Sequence, residues 1–284
     1  MQGTIKDLYR YPVKSMGGEQ LTEVTLAEGG IPGDRAWGVR DEKLGGIRGA
    51  KRFPALMRCK ARYLSPPPAN GSATALVSFP DGSELPINDA AMAGKLSELL
   101  EAQVTVWPLM PADMLDHYRR GAPVLSDMEA EMRRVFARGE DEPLPDMSGM
   151  PPELFEFESP PGTYFDAAPL LLMTTQSLTH LSTQASDHNF DVRRFRPNVL
   201  IDTNSDAAFP ERDWIGKTLR IGDARLEVIM ACLRCAMTTH GFDDLPRDVG
   251  IMRTLVGEAG GDLGVYARIV EPATIHTGDT IEIL

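Results

Sequence analysis

Cysteine is scarce in this chain, with three residues in 284. So few thiols, and an odd number of them, argue against a disulfide scaffold and favour a reducing compartment. The cysteine content also argues against a structural zinc domain, because the chain has no second Cys-X-X-Cys to complete a four-cysteine site with Cys232-X-X-Cys235. The two cysteines of this motif therefore call for another explanation.

The chain also lacks a net positive charge and long apolar runs. The formal net charge is −12, and nucleic acid needs a basic face, so we expect no nucleic-acid binding. The longest apolar stretch, 167–173, contains Pro169 and is far too short to span a bilayer. The N-terminus has no signal-peptide pattern. These absences predict a soluble, cytoplasmic protein with no membrane association.

What the sequence does contain is mainly strand pattern. Residues 2–40 and 214–230 are typical of short strands, and Asp81-Gly82 turns a hairpin. A helix is predicted from Asn88, as its cap, to about residue 102. A second is predicted over 125–138, with Ser126 and Glu129 as a capping box. The pattern indicates an α+β, β-rich fold, more barrel-like than doubly wound.

The middle of the chain is the least regular part. Residues 139–162 are rich in proline and include the acidic run 140–142. Such a composition is typical of a long, partly mobile connection between domains, although a lid over a site would have a similar composition.

The Cys232–Cys235 motif ends an apolar strand pattern, and cysteines at such a strand exit are both expected to be accessible. Arg234 lies beside the second cysteine, and Thr238 and Thr239 follow. Because a guanidinium stabilises a thiolate, this arrangement predicts an accessible, activated thiol in an anion-binding pocket. A small buried cysteine would give the same local pattern.

Three chemistries remain open for these thiols. A zinc site would need His240 and one of three other histidines: His180, His188 or His276. A thioredoxin-like redox pair would need a helix starting at the first cysteine, which the strand pattern disfavours. The third is a single thiolate that holds a soft transition metal.

Cations occur in two further places. Lys14-Ser15 sits in a loop and suits an anion, although Lys14 alone would pass for a surface lysine. Arg193, Arg194 and Arg196 lead into a strand, where alternation should let at most two of them face one pocket. Ion pairing with nearby aspartates, Asp191 and Asp202, is the alternative for these arginines. The glycine-rich turn at 29–39 lacks the ending of a phosphate-binding P-loop.

Four motifs occur in order along nearly the whole chain, and together they resemble MOSC-domain proteins, the family named for the C-terminal domain of molybdenum cofactor sulfurase. The motifs are Tyr11-Pro12-Val13-Lys14-Ser15, Gly33-Asp34-Arg35, Arg194-Phe195-Arg196-Pro197-Asn198 and Cys232-Leu233-Arg234-Cys235-Ala236-Met237-Thr238-Thr239. The sequence is similar to the type of MOSC protein whose domain layout is found in the mitochondrial amidoxime reducing component and its bacterial relatives. It implies an N-terminal MOSC β-barrel domain, placed at residues 1–122, and a MOSC β-barrel domain with a few helices at residues 123–284.

The resemblance implies a molybdenum cofactor (molybdopterin) with Cys235 as the metal ligand and catalytic cysteine. The matching cofactor-binding positions are Lys14, Ser15, Arg35, Arg196, Asn198, Arg234, Thr238 and Thr239. The implied activity is the reduction of small N-hydroxylated substrates, with electrons from a separate electron-transfer protein. In well-studied family members the two threonines are followed by Val-Asp-Pro, whereas here they are followed by His240-Gly241-Phe242. His240 is therefore either a proton donor or a surface residue. The alternative function is a non-catalytic carrier or sulfur-transfer module for molybdenum cofactor that uses Cys235.

Overall fold

The computed structural model describes residues 2–149 and 151–284. The strands are β1 (Gln2–Arg10), β2 (Glu19–Leu21), β3 (Glu23–Thr25), β4 (Trp37–Asp41), β5 (Ile47–Arg48), β6 (Lys60–Tyr63), β7 (Ala75–Ser78), β8 (Glu84–Pro86), β9 (Val104–Pro108), β10 (Leu170–Thr174), β11 (Val199–Thr203), β12 (Thr218–Ile221), β13 (Ala224–Leu233), β14 (Asp262–Glu271), β15 (Thr274–His276) and β16 (Thr280–Ile283). The helices are α1 (Met92–Leu100), α2 (Leu115–Tyr118), α3 (Met128–Phe136), α4 (Glu153–Glu156), α5 (Thr175–Gln184) and α6 (Gly250–Ala259).

Seven strands close into a barrel, which confirms the predicted β-rich, barrel-containing α+β fold. They follow one another in the order β1, β11, β10, β14, β13, β12 and β16, and β16 returns to β1. β1 pairs antiparallel with β11, where Leu8 faces Val199, and with β16, where Gly3 faces Ile281. Closure removes open strand edges and buries an apolar interior that includes Leu8, Val199 and Trp214. The N-terminal strand thus completes a barrel whose other members lie in the second half of the chain.

Six further strands of the N-terminal half form two small sheets around their own core. β4 lies between β5 and β9, and β7 lies between β6 and β8. Val39, Val77 and Leu96 of α1 are buried together there. The hairpin at 81–82 is confirmed by the pairing of β7 with β8. The proposed boundary between domains at residue 122 stays a prediction.

Both predicted helix caps are wrong. α1 begins after Ala91 rather than after Asn88, because a turn in which Asp89 accepts from the Ala91 amide at 2.8 Å precedes the helix. α3 is capped by Asp127, whose Oδ1 accepts from the Ala130 amide at 2.7 Å, rather than by Ser126. α1 therefore begins without a side-chain cap, whereas in α3 the neighbouring aspartate takes a backbone donor of the first turn.

Between 139 and 162, α4 is the one helix or strand in the part of the chain that the structure describes. Across the described residues, no helix has the combined length and apolarity that crossing a bilayer requires.

Candidate functional site

One cavity gathers almost all of the predicted site residues. It lies where the loop after β1 meets the segment before β11 and the end of β13. Thr239 is the predicted residue outside its lining; it is buried, and its hydroxyl donates to the Ala236 carbonyl at 2.7 Å. The predicted residues that line the cavity are Lys14, Ser15, Arg35, Arg196, Asn198, Arg234, Cys235 and Thr238.

The two cysteines differ in exposure, contrary to the prediction that both are accessible. Cys232 is still within β13 and is 1% exposed, whereas Cys235 follows the strand and is half-buried. Burial raises the pKa of the Cys232 thiol, and the charge of Arg234 opposes that shift only in part. Cys235 is therefore the thiol available to a ligand in the cavity.

Arg234 does not point at its sequence neighbour. Its Nη1 donates to Cys232 Sγ at 2.9 Å, and its Nη2 donates to the Phe195 carbonyl at 2.6 Å. Its Nε is buried with no hydrogen-bond partner among the described residues. The buried cysteine thus anchors an arginine that lines the cavity.

The three clustered arginines do not alternate along a strand as predicted. Residues 192–194 form a 3₁₀ turn, and Arg196 has a left-handed φ of 56°, so the chain twists before β11 begins. Arg193 pairs at the surface with Asp191 and Asp244, each at 2.8 Å. Arg194 is buried and donates to backbone carbonyls. Of the three, Arg196 lines the cavity.

Backbone conformation at the cavity is unusual. Ser15, Arg35 and Arg196 all have positive φ, at 67°, 49° and 56°. Residues with side chains rarely adopt this region, and such conformations cluster where surrounding contacts hold a functional group in place. Sequence patterns gave no signal for them, because none of the three is a glycine or asparagine.

Lys14 and Asp166 form an ion pair in the cavity that the sequence did not predict. Lys14 Nζ donates to Asp166 Oδ1 and to the Tyr164 carbonyl, each at 2.8 Å. Burial lowers the pKa of Lys14, and the Asp166 charge offsets part of that shift. Although desolvation in the crevice acts in the opposite direction, the charges of Lys14 and Lys51 hold the pKa of Asp166 well below its usual range. Residue 166 is separated from Lys14 by most of the chain, so no local spacing could have revealed the pair.

The zinc alternative finds no support. No group of three or more His, Cys, Asp or Glu side chains in the described ranges is arranged to hold a metal ion. His240 donates from its ring to the Ala50 carbonyl at 3.1 Å, and burial lowers its pKa. His188 and His180 are engaged elsewhere, with Asp248 and Glu258. The redox-pair alternative also lacks its context, because Cys232 lies in a strand rather than at a helix start.

Two domain families match the chain. The MOSC N-terminal beta barrel domain matches residues 2–109, and the MOSC domain matches residues 160–282. The chain belongs to the MOSC-domain proteins.

Curated relatives of this MOSC protein are amidoxime-reducing components. Mitochondrial amidoxime-reducing component 1 of Mus musculus is 24% identical over 300 aligned positions, which cover 99% of this chain and 82% of the relative. Mitochondrial amidoxime reducing component 2 of Macaca fascicularis is 42% identical over 76 residues, or 27% of this chain and 21% of the relative. The human component 1 is 29% identical over 140 residues, or 43% of this chain and 38% of the relative.

Solved structures resemble the MOSC protein more distantly. YuaD of Bacillus subtilis is 12% identical with a TM-score of 0.44 and covers 100% of this chain and 96% of its own. YiiM of Escherichia coli is 15% identical with a TM-score of 0.32 and covers 44% of this chain and 58% of its own.

Proposed function

We propose that this protein binds a molybdenum cofactor in the cavity, with Cys235 as the metal ligand, and reduces N-hydroxylated compounds. The observation that carries the proposal is the convergence of one accessible thiol and four cationic side chains on a single cavity. The cations are Lys14, Arg35, Arg196 and Arg234, against the carboxylate of Asp166. A thiolate is a ligand for a soft metal, and guanidinium groups suit a phosphate.

The donor set fits such a group. Arg196 Nη2 and Arg234 Nε are buried without a hydrogen-bond partner among the described residues. An unpaired buried donor is costly, and a bound anion would satisfy both. We assign Ser15, Arg35, Arg196 and Arg234 to the anionic part of the cofactor. Thr238 is also assigned to the site by its position, although its hydroxyl already donates to the Cys235 carbonyl at 3.1 Å.

Two assigned residues act in part through the protein. The Asn198 side chain donates to Asp34 Oδ2 at 3.0 Å and accepts from the Leu171 amide at 3.1 Å, so it holds the Asp34–Arg35 turn in place. Lys14 is paired with Asp166 and Arg35 with Asp34, which leaves the positive surplus of the cavity on Arg196 and Arg234.

When bound, a molybdenum cofactor supplies two-electron oxygen-transfer chemistry at an open coordination position. The net reaction consumes an N-hydroxylated compound, two electrons and two protons, and it yields the N–H compound and water. The chain's contribution is to anchor the metal through Cys235 and to fix the anionic end with the arginines. We further propose that a separate electron-transfer protein delivers the electrons and that the protein is cytoplasmic. The names of the amidoxime-reducing relatives support this substrate class.

The test is the molybdenum content of protein purified from a host that makes molybdopterin. We expect about one molybdenum per chain, in line with a single thiolate ligand. Cys235→Ala should abolish it, whereas Cys232→Ala, the matched control, should keep much of it because its thiol is buried behind Arg234. Equal loss in both variants would contradict the single-ligand assignment.

Turnover then separates the reductase from the carrier. The loaded protein should reduce an amidoxime with an artificial reductant, and Cys235→Ala should not. Full molybdenum content without turnover would instead favour the non-catalytic carrier or sulfur-transfer module.

A further inference from the structure

Tyr11 lies beneath two of the arginines that line the cavity. The Arg196 Cζ is 4.0 Å from the centroid of its ring, and the Arg35 Cζ is 5.0 Å from it. Both distances are within the range of cation–π attraction. The ring itself is 6% exposed, so this attraction acts away from bulk water.

Backbone and side-chain contacts fix Tyr11 at both ends. Its amide donates to Asp34 Oδ1 at 2.7 Å, and its carbonyl accepts from the Arg35 amide at 2.6 Å. Its hydroxyl donates to the Pro197 carbonyl at 3.0 Å. The residue therefore ties the Asp34–Arg35 turn to the Arg196–Pro197 segment, which is distant in sequence.

The two guanidinium groups need such a tie. Burial, together with the charge of Arg35, lowers the pKa of Arg196 to about 10. Two like charges held close together in a poorly hydrated place repel each other. The carboxylate of Asp34, which pairs with Arg35, offsets part of that repulsion, and the electron-rich face of the Tyr11 ring offsets a further part. Arg196 Nη1 donates to the Met16 carbonyl and Nη2 lacks a partner among the described residues, so the direction of Nη2 is set by that bond together with the Tyr11 ring.

We infer that Tyr11 is a positioning residue that holds Arg35 and Arg196 at the spacing required by a phosphate-class anion. The inference rests on the anion site of the proposed function, and it adds that the ring face, rather than the hydroxyl, sets the affinity. Tyr11 does not itself touch the anion.

The experiment compares Tyr11→Phe with Tyr11→Leu in cofactor-free protein, purified from a host that cannot make molybdopterin. Binding of inorganic pyrophosphate is measured by calorimetry at low ionic strength. Tyr11→Leu removes both cation–π contacts and should weaken binding about tenfold or more. Tyr11→Phe keeps the ring and should stay within about threefold of the unchanged protein.

Phe79→Leu is the matched control. Phe79 is also buried and lies under a cation (Lys95 Nζ, 4.8 Å from the ring centroid), but it is not part of the cavity lining. It should lower the melting temperature as Tyr11→Leu does and leave pyrophosphate affinity unchanged. Equal weakening in Phe79→Leu, equal weakening in Tyr11→Phe, or no weakening in Tyr11→Leu would each overturn the role of Tyr11.

The unchanged protein separates this inference from the proposed function. If it binds no pyrophosphate, the anion site fails and the inference with it. If it binds pyrophosphate and retains molybdenum, while Tyr11→Leu binds equally well, the inference alone fails.

Discussion

Gly49 leaves the room that Ser15 needs in the cavity wall. A Cβ atom at Gly49 would lie 2.5 Å from Ser15 Oγ, the atom that accepts from the Ala50 amide at 2.9 Å. Gly49→Ala must therefore push Ser15 out of place, while the backbone at residue 49 needs no unusual φ. We expect lower molybdenum content and weaker pyrophosphate binding with a modest loss of stability.

Gly94→Ala provides the comparison for that substitution. Gly94 lies in α1 with open space around it, so alanine should stabilise the helix by about 1 kcal/mol and leave ligand binding unchanged. Full molybdenum content in Gly49→Ala would show that the placement of Ser15 does not matter for cofactor retention.

Residue identity made part of the site predictable. The sequence identified Cys235, Lys14 and the arginines as site residues because thiolates bind metal ions and cationic side chains bind anions. The roles of Asp166 and Tyr11 could not, because each depends on a contact between segments far apart in the chain. Arg234 shows what a sequence cannot predict. The sequence places it next to Cys235, but its hydrogen bond to Cys232 depends on the backbone conformation at the end of β13.

At the level of elements, a buried carboxyl joins β10, α5 and the 3₁₀ turn at 210–214. Glu211 is completely buried, and its Oε2 accepts from the hydroxyls of Thr174 (2.7 Å) and Ser177 (2.6 Å). Burial raises the pKa of Glu211, with the two hydroxyls opposing that shift. The folded state therefore holds this proton more tightly than the unfolded state does. The stabilisation is complete below the ordinary pKa of glutamate and is lost as pH rises through the folded pKa.

Glu211→Gln should remove that dependence. Relative to the unchanged protein, the variant should gain on the order of 1 kcal/mol in free energy of unfolding as the pH is raised from about 4 to about 8. Urea unfolding at both pH values measures the difference. Glu28→Gln, at an exposed position, should show no such gain. If the free energy of unfolding of Glu211→Gln changed with pH in parallel with that of the unchanged protein, the role assigned to Glu211 would be contradicted.

The presence of strands and helices was predicted better than the residues at which they begin and end. Strands and helices follow from alternation and from apolar spacing, and the hairpin of β7 and β8 follows from its turn. The predicted caps at Asn88 and Ser126 failed because in each case the aspartate one residue later accepts the local backbone hydrogen bond instead. The arginine segment failed because a 3₁₀ turn interrupts the strand that alternation assumes.

At the scale of the whole molecule, barrel closure depends on β1. Without it, β11 and β16 would each present an open edge. A fragment of residues 123–284 should therefore aggregate or unfold without cooperativity, as judged by circular dichroism during heating.

A rearranged chain provides the matched control. Gln2 of β1 faces Glu282 of β16 in an antiparallel pair, so a turn of about two to four residues can join residue 284 to residue 2. The fragment extended in this way by residues 2–10 should unfold cooperatively. Cooperative unfolding of both fragments would show that β1 is dispensable for the barrel.

The position of β1 also sets an order of events in the cell. This strand leaves the ribosome long before its partner β16. Tyr11, Lys14 and Ser15 follow directly after β1, so the cavity wall they form meets the wall carrying Cys235 only when the barrel closes. Long-range pairing of this kind is slow and awaits the synthesis of β16. Insertion of the proposed cofactor would consequently follow the synthesis of β16, and until then the strand edges of the unfinished barrel are unpaired.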